Sequence, residues 1–149
     1  MPGKYSIDGN QAVASPTDSV LGLTSAATVK PRIYDTIIGS LATPADNAVQ
    51  FLYQRYTASG TGTAVTPRAL DPDDPAALAA SEENHTVEPT YTSDEILLNI
   101  PLNQRATYRI PLVEKGELVC PKTADNGIGV QPVHSSFTGD VTCTIHFQE

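Results

Sequence analysis

Residues 140–148 read DVTCTIHFQ, and this stretch decides the fold class. Val141, Cys143, Ile145 and Phe147 share one face, while Thr142, Thr144 and His146 take the other. A period of two is what a half-buried strand requires, because successive side chains point to opposite faces of a sheet. Cys143 is thereby expected to be a core thiol. Working back from this strand, candidate strands follow one another at 127–134, 117–120, 106–113, 95–102 and 85–91. Lys115 and Gly116, and Thr138 to Asp140, mark tight turns between neighbours. Residues 63–70 make a shorter candidate interrupted by Pro67. Residues 48–57 (AVQFLYQRYT) set Val49, Phe51 and Tyr53 against Gln50 and Gln54, and a Ser-Gly-Thr-Gly turn follows. Residues 29–38 (VKPRIYDTII) end at Gly39, with Pro31 placing their start at an edge or bend.

The remaining segments carry weaker patterns. The first 28 residues are mostly Ala, Ser, Thr, Gly and Pro, with Tyr5 and Ile7 the only larger apolar residues between Met1 and the run Val20 to Leu23. Such a segment buries too little of itself to fold alone. Residues 1–28 are therefore expected to be an extended N-terminal arm, and 29–149 a single β-sandwich domain. Residues 71–84 (DPDDPAALAASEEN) change character: Asp74 is placed to cap one short helix near residues 75–80, starting at Pro75. About eight strands, one small helix and no alternation of strand and helix imply an all-β, antiparallel sandwich. The absence of Trp and the spacing of Cys120 and Cys143 favour a jelly roll over an immunoglobulin-like fold.

Composition agrees with this class. The chain has 149 residues, a size at which about 70% of the unfolded surface is buried. Charged residues are 17%, against roughly 25% in average soluble domains. The formal net charge is −8, and no basic stripe of the kind that neutralises phosphates is visible along the chain, so direct nucleic-acid binding is not expected. No apolar run approaches the roughly 18 residues of a membrane span. Between Ala69 and Gln104 lie eight acids (Asp71, Asp73, Asp74, Glu82, Glu83, Glu88, Asp94, Glu95) and no Lys or Arg. This run reads either as a solvated acidic loop or as a surface that steers a basic partner or keeps crowded copies apart. Two cysteines are too few for a disulfide framework, and reduced thiols are expected. No apolar stretch follows Lys4, so no secretory signal is expected and synthesis is expected in the cytoplasm.

A search for catalytic or metal-binding patterns yields none that holds. His85 is followed by Glu88 alone, without the paired histidines of a cupin-like metal site, while His134 stands at a strand end and His146 on a polar face. All three are expected to be ordinary surface or turn histidines. Asp71, Asp73 and Asp74 resemble the start of a calcium loop, but Pro72 and Pro75 interrupt it, and the glycine and glutamate that should follow are missing. There is no Gly-x-Ser-x-Gly elbow, and neither Gly60-Thr-Gly62 nor Gly127-Ile-Gly129 leads into a phosphate-cradling helix. No cofactor and no enzymatic activity are expected; function is expected to lie in surfaces.

Three features suit a protein that packs into a shell. These are an extended arm able to add to a neighbour's sheet, a surface sparse in Lys and Glu, and a sandwich whose edges need covering. The segments SPTDSVLGLTSAATVKPRIYD (15–35), QRYTASGTGTAVTPRALDPDDPAALA (54–79), NHTVEPTYT (84–92) and LLNIPLNQRATYRIPLVEKGEL (97–118) carry a resemblance. In texture and in these phrases the chain resembles the head decoration (cement) proteins of tailed bacteriophages. The resemblance implies a jelly roll that assembles as a homotrimer, binds between subunits of the major capsid protein, and sits on the outer surface of the virion after synthesis in the host cytoplasm. Binding only the mature shell would stabilise it by mass action, about 2.7 kcal/mol per site at about 100 times the dissociation constant.

Candidate partner contacts are Tyr5 and Ile7 in the arm, Leu21 and Leu23 at its base, and Arg105 and Arg109 as charge-assisted anchors. The competing structural reading makes Leu21 and Leu23 the first core strand and pairs the arginines with Asp94 or Glu95. Two other functions share parts of the pattern. One is a tail, neck or fibre-associated virion protein. The other is a carbohydrate-binding jelly roll, whose sugar-stacking surface would fall to Tyr53, Tyr56, Tyr91 and Tyr108, with Tyr53 expected inside.

Overall fold

The strand that decides the fold class, β12, occupies Asp140–Gln148, and its Val141, Cys143, Ile145 and Phe147 are fully buried. The computed structural model describes residues 3–12, 18–133 and 139–149. Eleven further strands precede β12: β1 (Lys4–Ala12), β2 (Leu21–Thr24), β3 (Arg32–Ala42), β4 (Ala48–Tyr56), β5 (Thr61–Val65), β6 (Arg68–Ala69), β7 (Ala80–Val87), β8 (Tyr91–Asn103), β9 (Thr107–Pro111), β10 (Leu118–Val119) and β11 (Gly127–Val133). They form two six-stranded antiparallel sheets packed face to face, so the protein is a β-sandwich. Sheet A runs β3-β12-β1-β6, with β9 and β10 both pairing the outer edge of β3. Sheet B runs β5-β7-β2-β11-β4-β8.

The order is nested. In sheet A, β1 pairs β12, β12 pairs β3, and β3 pairs β9; in sheet B, β2 pairs β11, β11 pairs β4, and β4 pairs β8. The chain alternates between sheets from β1 to β4, and from β9 it returns through β11 and β12 alongside those strands. Residues 61–87 are an excursion between β4 and β8. They add β5 and β7 to the β2 side of sheet B and β6 to the β1 side of sheet A.

The inward faces supply one core of Tyr5, Ile7, Leu21, Leu23, Ile33, Ile38, Phe51, Tyr53, Ile128, Val130 and the four β12 residues. Tyr5 stacks on Phe147 with ring centroids 5.3 Å apart. The Tyr53 hydroxyl has a partner 2.6 Å away in Thr36 Oγ1, so its burial leaves no unpaired phenol.

Two expectations are corrected here. Residues 4–12 and 21–24 are not an arm lying outside the domain. Strand β1 pairs β12 along its whole length, from Lys4 opposite Gln148 to Ala12 opposite Asp140, and β2 lies between β7 and β11. The alternation of β1 was hidden because Gly9 and Gln11 occupy the inward positions after Tyr5 and Ile7. Gly9 is required there: a Cβ would come within 2.9 Å of Glu83 Cβ and Leu21 Cδ1. Residues 13–17, also assigned to the arm, lie outside the described residues.

The second correction concerns residues 75–80. No helix forms among the described residues. The Asp71 carboxylate accepts the Asp73 N–H at 3.1 Å and the Asp71 carbonyl accepts the Asp74 N–H at 3.0 Å, closing a turn. Downstream, the Leu78 and Ala79 N–H groups donate to the Glu149 carboxylate at 2.6 and 3.0 Å, and Ala80 begins β7. Tertiary partners thus take the backbone groups that a helical turn would use. Asp74 itself accepts the Lys4 N–H at 3.4 Å instead of capping a helix.

Candidate interaction surfaces

Strands β8 and β9 lie at the same side of the sandwich, one at the edge of each sheet. Among the described residues no strand pairs the far edge of either. The corner between them is well held. Gln104 is buried, its N–H donates to Asn47 O at 2.9 Å, and its Oε1 accepts the Ala45 N–H at 2.8 Å. Asn103 Nδ2 donates to Asp46 at 2.7 Å, and Asn103 Oδ1 accepts the Arg105 N–H at 2.9 Å. Strands diverging from this corner leave a groove of about 430 Å³ lined by Leu98, Ile100, Pro101, Leu102, Tyr108 and Ile110. Tyr108 is 52% exposed at its wall, and Ile96 and Val113 lie exposed on the elements that flank it. The groove is apolar and open to solvent.

A second surface is built on the outward side of sheet A. Between His146 and Phe147 the β12–β3 register slips, so that Tyr34 and Asp35 together stand opposite His146. This bulge turns both side chains outward, as an extra residue in one strand does. Asp35 is buried there by its partners: Arg109 Nε and Nη2 donate to its carboxylate at 3.0 and 2.7 Å, and His146 Nδ1 lies 3.1 Å away. The Arg109 hydrogen bonds, with those of His146 adding, hold the Asp35 carboxyl below its ordinary range despite burial. Lys4 Nζ sits 5.5 Å from the centre of the Tyr34 ring.

The outward side of sheet B is finished differently. Gly22, Gly127 and Gly129 form a floor without side chains, and Tyr56, Tyr91 and His85 lie over it. Tyr56 and Tyr91 meet edge to face at 6.0 Å. Burial pushes both phenols well above their ordinary range, and each has a hydroxyl neighbour, Thr24 for Tyr56 and Ser19 for Tyr91. The Glu88 carboxylate binds the N–H and hydroxyl of Ser19. His85 Nδ1 donates to Ser19 O at 3.3 Å, while its Nε2 lies 3.9 Å from Glu82 Oε2.

The six residues expected to contact a partner separate into two groups. Tyr5, Ile7, Leu21 and Leu23 are core residues at 0–2% exposure, which removes them from any contact surface in this fold. Arg105 and Arg109 are exposed, on the β8–β9 corner and on β9. Arg109 pairs with Asp35 and not with Asp94 or Glu95; Glu95 instead lies 3.6 Å from Arg55. His85, expected at the surface, is 6% exposed, whereas His146 does lie on the polar face of β12. His134 lies outside the described residues. Cys120 and Cys143 are free and buried, and burial pushes both thiols up to about 12. Of the four tyrosines considered for sugar stacking, Tyr53 and Tyr56 are buried, Tyr91 is packed into the glycine-floored layer, and Tyr108 alone is exposed. The groove is not legible in the sequence because it needs two edges from different sheets.

No family model, curated protein or solved structure matches this chain.

Proposed function

We propose that the protein is a bacteriophage virion structural protein, a decoration protein that binds between subunits of the major capsid protein and stabilises the head. The observation that carries this reading is the groove between the free edges of β8 and β9, an apolar opening of about 430 Å³. Unpaired edges beside an apolar groove are a surface that another chain can cover by strand addition or by side-chain docking. The nested order of both sheets supports the jelly-roll form of the fold, since each half-chain wraps in register against the other. The phrases shared in style with phage cement proteins supply the choice of partner. The homotrimer and the location on the outer virion surface belong to the same proposal. Because Tyr5, Ile7, Leu21 and Leu23 are structural, the contact falls to Tyr108, Arg105 and the groove walls.

The experiment is to add the purified chain to mature heads that lack it and to follow co-sedimentation. Wild type is expected to bind to saturation and to raise the temperature at which the heads release DNA. Tyr108→Glu, at an exposed position, is expected to fold normally and to bind at least about tenfold more weakly, since a desolvated carboxylate in an apolar contact is costly. Binding to tails or necks in place of heads would move the protein to that class of virion component. Absence of binding to any virion part, with glycan binding abolished by Tyr108→Ala, would overturn the structural role in favour of a carbohydrate module.

A further inference from the structure

The edge strands β8 and β9 each contain a proline, Pro101 and Pro111, and the ladder bonds fix which way each one faces. The Gln104 N–H donates to Asn47 O at 2.9 Å, so residues 47 and 104 are a hydrogen-bonded pair. Bonded and non-bonded pairs alternate along an antiparallel ladder. The register is continuous from Ala48 opposite Asn103 to Tyr53 opposite Leu98, so Leu102, Ile100 and Leu98 bond to β4. Asn99, Pro101 and Asn103 therefore turn their backbone groups to the free edge. The β3–β9 ladder gives the same result. There the Leu112 N–H donates to Tyr34 O at 2.7 Å, so Ile110 and Tyr108 bond to β3, while Thr107, Arg109 and Pro111 turn outward.

Proline has no N–H to offer. A strand laid along either edge would meet a ring where it needs a donor, at Pro101 or at Pro111, which is how edges are protected against strand addition. The Asn103 carbonyl, also on the β8 edge, is already taken by the Ala106 N–H at 2.9 Å. Side chains are presented differently from backbone. Leu98, Ile100 and Leu102 stand opposite the core residues Tyr53, Phe51 and Val49, so they point inward from sheet B. Tyr108 and Ile110, opposite Ile38 and Thr36, point inward from sheet A. The groove of about 430 Å³ is thus the uncovered end of the core, walled by uncharged side chains. Its backbone rims are closed to a partner and its apolar walls are open to one.

The dimensions select the partner's form. Packed sheets lie about 10 Å apart, a gap that a helix about 10–12 Å wide spans and that a strand, covering about 4.8 Å, does not. Leu98 to Leu102 runs about 13 Å, the length of roughly two and a half helical turns. A helix satisfies its own backbone internally and asks nothing of either edge. Its stripe must be uncharged, because a charge entering the groove would lose its water without gaining a partner. The walls are few, a size suited to a short segment and short of the roughly 800 Å² per partner of a standard interface between folded bodies. A second copy is therefore not held by this groove alone.

We propose that the occupant of the β8–β9 groove is an amphipathic helix of a partner protein, two to three turns long, whose apolar stripe enters between the two sheets. This occupant rests on the reading of the groove as the docking surface and specifies what the partner presents there.

Two labelled synthetic peptides are the probes, titrated with the full chain by fluorescence anisotropy. One is a stapled helix of about three turns with Leu at i, i+3, i+4 and i+7 on an Ala and Gln background. The other is an extended peptide of the same length with alternating Val and Thr. The wild type is expected to bind the helix and not the extended peptide, and Tyr108→Glu to bind the helix at least about tenfold more weakly. Pro101→Ala with Pro111→Ala restores both edge N–H groups. With unchanged circular dichroism, that variant should capture the extended peptide and self-associate more than the wild type in sedimentation velocity; if the spectrum changes, each proline is replaced singly. Absence of helix binding, helix binding unmoved by Tyr108→Glu, or equal capture of the extended peptide by the wild type overturns the proposal. So do proline variants that gain neither extended-peptide binding nor self-association. Neither peptide comes from a virion, so heads that fail to bind would leave a positive result standing. Heads that bind and are not displaced by the helix would overturn the helical occupant and keep the shell reading.

Discussion

Along one long side of the sandwich, residues 61–87 bridge β1 and β2. Along the other, β8 and β9 part from a corner and leave a groove. At the closed side the Glu83 carboxylate accepts the Asn10 N–H at 2.7 Å, the Tyr5 hydroxyl donates to Pro75 O at 3.0 Å, and the Leu70 N–H donates to Lys4 O at 2.8 Å. Gly9 lets β1 come close enough for this, and Glu149 ties the last residue to Leu78 and Ala79. At the open side the hydrogen bonds stop at the corner around Gln104, and the apolar side chains beyond it face solvent. Both sides contain aromatic and aliphatic residues; what differs is whether the chain itself supplies a cover. The cover is incomplete, since Tyr5, Pro75, Leu78 and Glu149 also line an opening of about 360 Å³; even so, the side that the chain bridges with hydrogen bonds contributes to stability, and the side that it leaves unbridged is available to a partner.

This difference is sharpest in the two tyrosines, Tyr5 and Tyr108. Tyr5→Ala is expected to cost about 3–5 kcal/mol, since it removes a fully buried ring stacked on Phe147. Urea unfolding followed by circular dichroism measures it, and a loss below about 1 kcal/mol would mean that the closed side is not part of the core. Glu149→Ala is expected to cost about 1 kcal/mol, because the Leu78 and Ala79 N–H groups lose their acceptor. Proteolysis should then open the chain first within residues 70–79.

The outward face of sheet A gives an intermediate case. Asp35→Asn is expected to lose about 1 kcal/mol near neutral pH, a modest figure because its partner Arg109 is largely exposed. The folded-state carboxyl is held below its ordinary range, first by the Arg109 hydrogen bonds. Its contribution is therefore fully present above the unfolded value of about 3.9 and is lost as pH falls through the lower folded value. The wild-type advantage over Asp35→Asn should shrink progressively as pH falls below about 4 in urea titrations. An advantage that does not change on acidification would contradict the pairing. Smallest of all, Tyr108→Ala should change stability by less than about 0.5 kcal/mol, as a truncation at an exposed wall. If it cost as much as Tyr5→Ala, the distinction between a bridged side and an unbridged one would fail.

Most strands were legible because their residues alternate. Strand β12 runs over the same residues that DVTCTIHFQ marked out, and β4, β8, β9 and β11 lie within a few residues of their expected places. The buried thiol of Cys143 followed from the same alternation. Local pattern failed where small or polar residues stand at inward positions, as Gly9 and Gln11 do in β1. It failed again at Pro75 to Ala80, where helix-favouring residues are held out of a helix by Glu149, some seventy positions away. Of the expected contacts, the apolar ones were core residues for the reason that made them conspicuous: a few large side chains in a stretch of small ones must be buried. The two arginines were found as exposed side chains, but Asp35, the acid that positions Arg109, could not be singled out before the β3 bulge turned it outward.

The sequence by itself determined an all-β chain, the faces of its well-patterned strands and an excess of negative charge, because alternation and composition are local properties. Only the tertiary structure decided that residues 4–12 are an inner strand, that residues 61–87 bridge one side of the sandwich and nothing described bridges the other, and that a net acidic protein gathers Lys4, Arg32, Arg68 and Arg109 on one face. Those properties depend on register between strands distant in the chain, and a shift of one residue in any ladder would turn the same side chains to the opposite face.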